Sequence, residues 1–201
     1  MIRVILFDVD GVLAIGEPFS KHLARTYGIT PDLTRSFFEG RFLNCLTGKA
    51  DLKEELADRL PAWGWSSSIE AFLDEWFRFE HRINEPLIAY VQQLRQQHIR
   101  CYLATNQEKY RTAYLLAQMG FAGAFDGMFS STYLGYMKGD EAFFASVLSQ
   151  LPDVKANEIL FWDDSPANVE VARKAGLHAE VYSSFSDFEK KMTLYDIGNY
   201  G

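Results

Sequence analysis

The chain is poor in whatever staples or anchors a protein. Its two cysteines in 201 residues, Cys45 and Cys101, form no disulfide framework, so a reduced, cytoplasmic setting is the expectation. No apolar run reaches the length of a membrane span, and the chain opens on a strand pattern rather than a secretory leader. Basic residues are in deficit: 20 Lys and Arg against 27 Asp and Glu leave a formal charge of −7. That balance speaks against nonspecific nucleic-acid binding, which needs a basic footprint. It leaves phosphorylated small molecules open, because one divalent cation and one lysine can dominate a local site. His22, His81, His98 and His178 show no metal-ligand spacing. Internal repeats, low-complexity tracts and long blocks of like charge are also missing.

Apolar residues, by contrast, are plentiful. At 48% hydrophobic and 15% aromatic, the chain can bury a sizeable core as one domain, or one domain with an insertion. The run Ile2–Phe7 reads as a buried parallel strand. Further strands are expected at Ile99–Ala104, Met128–Ser130, Glu158–Trp162 and His178–Tyr182. Helices are expected between them at Leu87–Gln97, Glu108–Met119, Glu141–Leu151 and Pro166–Ala175, with a last one at Phe185–Lys191. Such alternation predicts an α/β fold with a parallel, doubly wound (Rossmann-like) sheet. Between about Phe19 and Asn84 only helical patterns appear. Leu52–Leu60 should end at Pro61, and Ser66–Ser68 should cap a helix whose stripe is Ile69, Phe72, Leu73, Trp76 and Phe77. The predicted division is a core of residues 1–17 and 86–201 carrying a small all-helical unit, residues 18–85, which overhangs the ligand crevice.

Polar residues with chemical potential cluster where strands end. Asp8-Val9-Asp10-Gly11 follows the first strand, and Gly11 lets the backbone turn sharply. Carboxylates two residues apart repel each other unless a cation or shared proton relieves them. The pattern suits a hard metal ion and a carboxylate nucleophile, or equally a turn with solvated acids. Thr105-Asn106 could grip a phosphoryl oxygen or cap the next helix. Lys138, in the loop Gly135–Gly139, could neutralise a phosphate or simply be solvated. Asp163-Asp164-Ser165 suits magnesium, which takes oxygen ligands, although a helix cap at Pro166 would use the same residues.

Asp8-Val9-Asp10-Gly11-Val12, then Thr105-Asn106, Lys138 and Asp163-Asp164-Ser165-Pro166-Ala167-Asn168 together resemble the four ordered motifs of the haloacid dehalogenase superfamily of hydrolases. The insertion resembles the helical cap of its phosphatase branch, and the layout is similar to its small cytosolic sugar-phosphate phosphatases. The resemblance implies a magnesium-dependent phosphatase of a small phosphorylated metabolite, such as a sugar phosphate, working through an aspartyl-phosphate. Asp8 would be the nucleophile, and Asp10 the acid and then the base. Mg2+ would be held by the Asp8 carboxylate, the Asp10 main-chain carbonyl and Asp164, with Asp163 a second or more distant ligand. Thr105, the Asn106 amide and Lys138 would bind the phosphoryl oxygens, and Asn168 would orient its neighbours. Gly139 replaces the proline that usually follows the motif lysine, so a looser loop is expected there.

Alternatives within the same resemblance are a phosphomutase of the β-phosphoglucomutase type and a silent member that binds a partner through its cap. Phe37, Phe38, Arg41, Phe42, Lys49, Trp63 and Trp65 are candidates for substrate choice, or else the core of the helical unit. Lys190 and Lys191 read as a solvated helix face.

Overall fold

The computed structural model describes residues 1–197. Five parallel strands form one sheet: β1 (Val4–Phe7), β2 (Arg100–Thr105), β3 (Gly127–Ser130), β4 (Ile159–Asp163) and β5 (His178–Val181), in the order β3-β2-β1-β4-β5. Val4 lies beside Arg100 on one side and Ile159 on the other, and Phe7 beside Leu103 and Trp162. The central strand is thus buried on both edges and both faces, which is why its sequence is apolar without alternation.

Alternation shows instead in which layer each residue joins. Ile5, Phe7, Cys101, Leu103, Leu160 and Trp162 pack with helices Glu85–Gln96, Lys109–Ala117 and Phe185–Met192. Val4, Leu6, Ala104, Ile159 and Phe161 pack on the other face with helices Glu141–Gln150 and Pro166–Lys174. Helices on both faces of a parallel sheet make this the doubly wound Rossmann-like fold. The chain fills the β2–β3 side first and then crosses to β4 and β5, so β1 and β4 flank the point where strand order reverses.

Between β1 and β2 the described backbone is helical, with no named strand. Its apolar residues form a cluster of their own, centred on Phe19, Leu23, Leu56, Phe72 and Phe77. Ser68 accepts from the Ala71 amide at 3.1 Å and starts helix Ile69–Phe79. The expected helix 52–60 is instead two pieces, Leu52–Ala57 and Arg59–Ala62. Pro61 acts four residues upstream: it has no N–H for the Ala57 carbonyl and its ring crowds that oxygen. A five-residue π-helical turn, Phe37–Arg41, was not foreseen. The two crossings to the core run side by side, with Ile15 N–H donating to Arg82 O at 2.7 Å and Asn84 N–H to Leu13 O at 2.8 Å.

Candidate active site

The carboxyl ends of β1, β2 and β4 converge on a cavity of about 420 Å³ lined by Asp8, Asp10, Thr105, Asn106, Lys138 and Asp164 among others. Residues up to 160 positions apart in sequence, Asp8 and Asn168, meet there. Asp163 lies just behind the wall, fully buried. Every residue expected at the site is therefore at or against this one cavity.

β1 ends in Phe7, and the tip then turns rather than running on. Leu13 and Ala14 amides both donate to Val9 O at 2.8 Å, and Gly11 takes φ +80°. Residues two apart on a strand share a face, and this turn ends the strand with Asp8 and Asp10 at one crevice. A Cβ on Gly11 would lie 2.2 Å from Asp164 Oδ2. Gly11 is the gap into which the Asp164 carboxylate fits.

Lys138 is only 2% exposed; its ammonium contacts the Asp8 carboxylate and lies 2.7 Å from Asp163 Oδ2. Burial works against this ammonium, but Asp8 and Asp163 outweigh it and hold its pKa above the ordinary lysine value. Burial also pushes the Asp8 carboxyl up to about 7, with Lys138 opposing and Asp163 adding to the rise. Asp164 is raised too, by burial and then by the neighbouring Asp163. Three carboxylates around one ammonium leave uncompensated negative charge in a largely dry place.

Single oxygens of Asp8, Asp163 and Asp164 lie within 4.8 Å of one another. An all-oxygen donor set with excess negative charge fits a small hard divalent cation. Asp163 is the most committed of the three. It accepts from Ser165 N–H at 2.8 Å and from Asn168 Nδ2 at 3.1 and 3.2 Å, besides meeting Lys138. Asn168 thus orients Asp163.

The loop carrying Lys138 is not loosened by Gly139. The Lys138 amide donates to Asn106 Oδ1 at 2.9 Å, and Asp140 N–H to Met137 O at 2.9 Å. Asn106 thereby ties the loop to the end of β2. Thr105-Asn106 does not cap the following helix either; the Glu108 carboxylate does, accepting from the Tyr110 and Arg111 amides. Both residues are left facing the cavity.

Three residues of the site carried no obvious sequence signal. Gln107 Nε2 donates to Asp10 Oδ2 at 2.5 Å. Arg111 is buried with Nη2 3.8 Å from Asp10 Oδ1 and 3.7 Å from Glu80 Oε2. Glu80 lines the cavity, and burial raises its carboxyl pKa, with Asp10 adding to the rise and Arg111 opposing it. The one available hint was a charged residue, Arg111, on the buried stripe of its helix beside Thr112 and Leu115.

None of the seven substrate-choice candidates lines this cavity. Phe37, Trp63 and Trp65 are buried in the helical unit's own core. Arg41 pairs with Glu55 at 3.1 Å, and Lys49 lies in a separate groove with Asp51 and Lys109. Phe38 alone comes near, in an apolar annex of about 300 Å³ that shares Pro18 and Glu80 with the main cavity. The cavity wall on that side is Ile15, Gly16, Glu17, Pro18 and Glu80.

The fold and the cluster at its strand ends define a class. Residues 2–176 match the family model of the haloacid dehalogenase-like hydrolases, and the chain belongs to that family. Compared by sequence with curated proteins, it has no significant match. A HAD-like family hydrolase from Porphyromonas gingivalis is similar in structure: TM-score 0.80 and 23% identity over 96% of this chain and 97% of that one. So is a HAD family enzyme from Bacteroides thetaiotaomicron in complex with magnesium and inorganic phosphate, with TM-score 0.78 and 19% identity over 94% and 99%. The L-2-haloacid dehalogenase of Xanthobacter autotrophicus is also similar, with TM-score 0.65 and 22% identity over 98% and 85%.

Proposed function

We propose that this hydrolase is a magnesium-dependent phosphatase that cleaves a small phosphorylated metabolite, such as a sugar phosphate, through an aspartyl-phosphate. The observation that carries the reading is two carboxylates, Asp8 and Asp10, facing one cavity together with Thr105, Asn106 and a buried lysine. The relative in complex with magnesium and inorganic phosphate supports it. The dehalogenase relative is weighed against it by Asp10, a second acid that phosphoester chemistry needs and dehalogenation does not.

In this reading an Asp8 oxygen attacks phosphorus as the ester P–O bond breaks. The leaving oxygen keeps that electron pair and takes the Asp10 proton. Asp10 then removes a proton from water, which attacks phosphorus. The P–O bond to Asp8 breaks, its electron pair returns to the carboxylate, and inorganic phosphate leaves. Thr105, the Asn106 amide and Lys138 bind the phosphoryl oxygens and stabilise charge that builds there. The Asp8 carboxylate, the Asp10 main-chain carbonyl and Asp164 would hold Mg2+, with Asp163 behind them braced by Asn168. Bound there, the ion supplies charge neutralisation and orientation for the phosphoryl group. Residues 18–85 act as a cap that keeps bulk water away from the intermediate. Two buried free thiols, Cys45 and Cys101, suit a reducing, cytoplasmic setting. Among the described residues no helix is long and apolar enough to cross a membrane.

The test is phosphate release from a panel of phosphorylated metabolites and an aryl phosphate, with a 2-haloacid alongside, with and without magnesium. Magnesium-dependent phosphate release that falls about a thousandfold or more in Asp8→Asn is the expected result. Halide release without phosphate release would overturn the reading. A long-lived phosphoenzyme that needs a bisphosphate activator would replace it by a mutase.

A further inference from the structure

Arg111 is a costly residue to keep where it is. Its side chain is 3% exposed, yet Nη1 alone has a hydrogen bond, to Phe77 O at 3.0 Å. Nε and Nη2 are buried with no partner among the described residues. Leaving guanidinium N–H groups buried and unpaired costs free energy, so their aim is informative. Nη2 faces Asp10 Oδ1 at 3.8 Å and Glu80 Oε2 at 3.7 Å. Both separations are too long for hydrogen bonds but within ion-pair range; the Arg111 end is buried, while the Asp10 side chain is 56% exposed to the cavity and Glu80 22%. The guanidinium cannot drift away, because it packs 5.4 Å from the Phe77 ring centroid and 5.6 Å from that of Tyr114. Asp10 is meanwhile held on its other oxygen by Gln107 at 2.5 Å.

Resting on the phosphatase reading, we infer that Arg111 is a positioning residue that drives proton delivery by Asp10. When the ester P–O bond breaks, the Asp10 O–H bond breaks with it. The proton goes to the leaving oxygen, and negative charge appears on the Asp10 carboxylate beside the unpaired Nη2–H. This interaction strengthens as the proton leaves and is weaker before, so it lowers the barrier rather than tightening substrate binding. Arg111 itself makes and breaks no bond. Through Phe77 O and Glu80 the same side chain also ties Asp10 to the helical unit, so the acid is fully supported only with that unit in place.

The prediction concerns leaving groups. An alkyl phosphate needs its leaving oxygen protonated, whereas an aryl phosphate of an acidic phenol hardly does. In Arg111→Met, kcat/KM for the alkyl ester, which reports formation of the aspartyl-phosphate, should fall about 100-fold, within the usual range for general acid catalysis. For the aryl ester kcat/KM should fall less than about fivefold. In an Asp10→Asn background, Arg111→Met should no longer separate the two esters, because the group it acts on is gone. Equal losses on both esters, or an undiminished separation without Asp10, would overturn the inference while the phosphatase reading stands. If Arg111→Met does not fold, Arg111→Lys, which keeps the charge but not the fork, is read on the same pair; selective loss supports the inference and equal loss overturns it. Wild type that releases phosphate from neither ester would remove the phosphatase reading and this inference with it.

Discussion

Gly11 is the residue whose replacement says most about the candidate metal centre. Its φ of +80° is strained for any side chain, and a Cβ there would lie 2.2 Å from Asp164 Oδ2. Gly11→Ala should cost about 1–3 kcal/mol from the backbone alone and should push the Asp164 carboxylate out of the cluster. The expected outcome is a lower Tm together with loss of the magnesium-induced rise in Tm that wild type should show. A lower Tm with that rise intact would mean Asp164 is not a ligand. Lys191, by contrast, is not the solvated lysine its sequence suggests. It donates to Val181 O at 2.8 Å and pairs with Asp187 at 2.7 Å, binding the last helix to β5.

Among elements, helix Leu52–Ala57 and helix Lys109–Ala117 meet end to end through a small polar latch. Asp51 accepts from Lys53 N–H at 2.8 Å to cap the first helix, and its carboxylate also meets Lys109 and the Tyr110 hydroxyl. Burial alone would raise the Asp51 pKa, but hydrogen bonds from Lys109 and Tyr110 outweigh it and hold the carboxyl below its usual range. A carboxyl whose folded pKa is depressed stabilises the fold above its unfolded pKa. That contribution is lost as pH falls through the folded value. Asp51→Asn keeps a capping oxygen and removes the charge. It should cost about 0.3–1 kcal/mol at pH 7, the range of a partly exposed, solvent-screened pair, and nothing at the foot of the acid limb. Urea unfolding at several pH values checks this; a cost independent of pH would point to lost capping instead. Ser131 adds a second clasp nearby, donating to Leu46 O at 2.6 Å.

At the scale of the molecule, the helical stretch 18–85 has its own apolar cluster and joins the core by two adjacent crossings. Ala14 and Ile83 pair antiparallel there, and Asn84 Nδ2 donates to Val12 O at 2.8 Å and to the Tyr182 hydroxyl at 2.7 Å. If the stretch opens as a rigid cap, bending belongs at Ile15–Pro18 and Asn84–Pro86. The amides of Ile15 and Asn84 should then exchange at least about tenfold faster than those of β1, the mark of opening short of global unfolding. Equal protection would show that cap and core open only together.

Much of this arrangement was legible beforehand because it depends on local pattern. Buried parallel strands are apolar runs and helix stripes repeat at 3.6 residues. Asp8, Asp10, Thr105, Asn106, Lys138, Asp163 and Asp164 each had a plain local reading as well, and stood out together because their order along the chain resembles the four motifs of the family. Their meeting at one cavity was decided by the strand order β3-β2-β1-β4-β5, which sets the ends of β1, β2 and β4 side by side. Partnerships across elements needed the folded chain. Asn106 tying down the Lys138 loop 32 residues on, and Arg111 set between Asp10 and Glu80, 101 and 31 residues away, rest on packing; Glu108 rather than Thr105 as the cap is a local choice. Periodicity reports which face a side chain takes, and only tertiary contact decides what waits on that face.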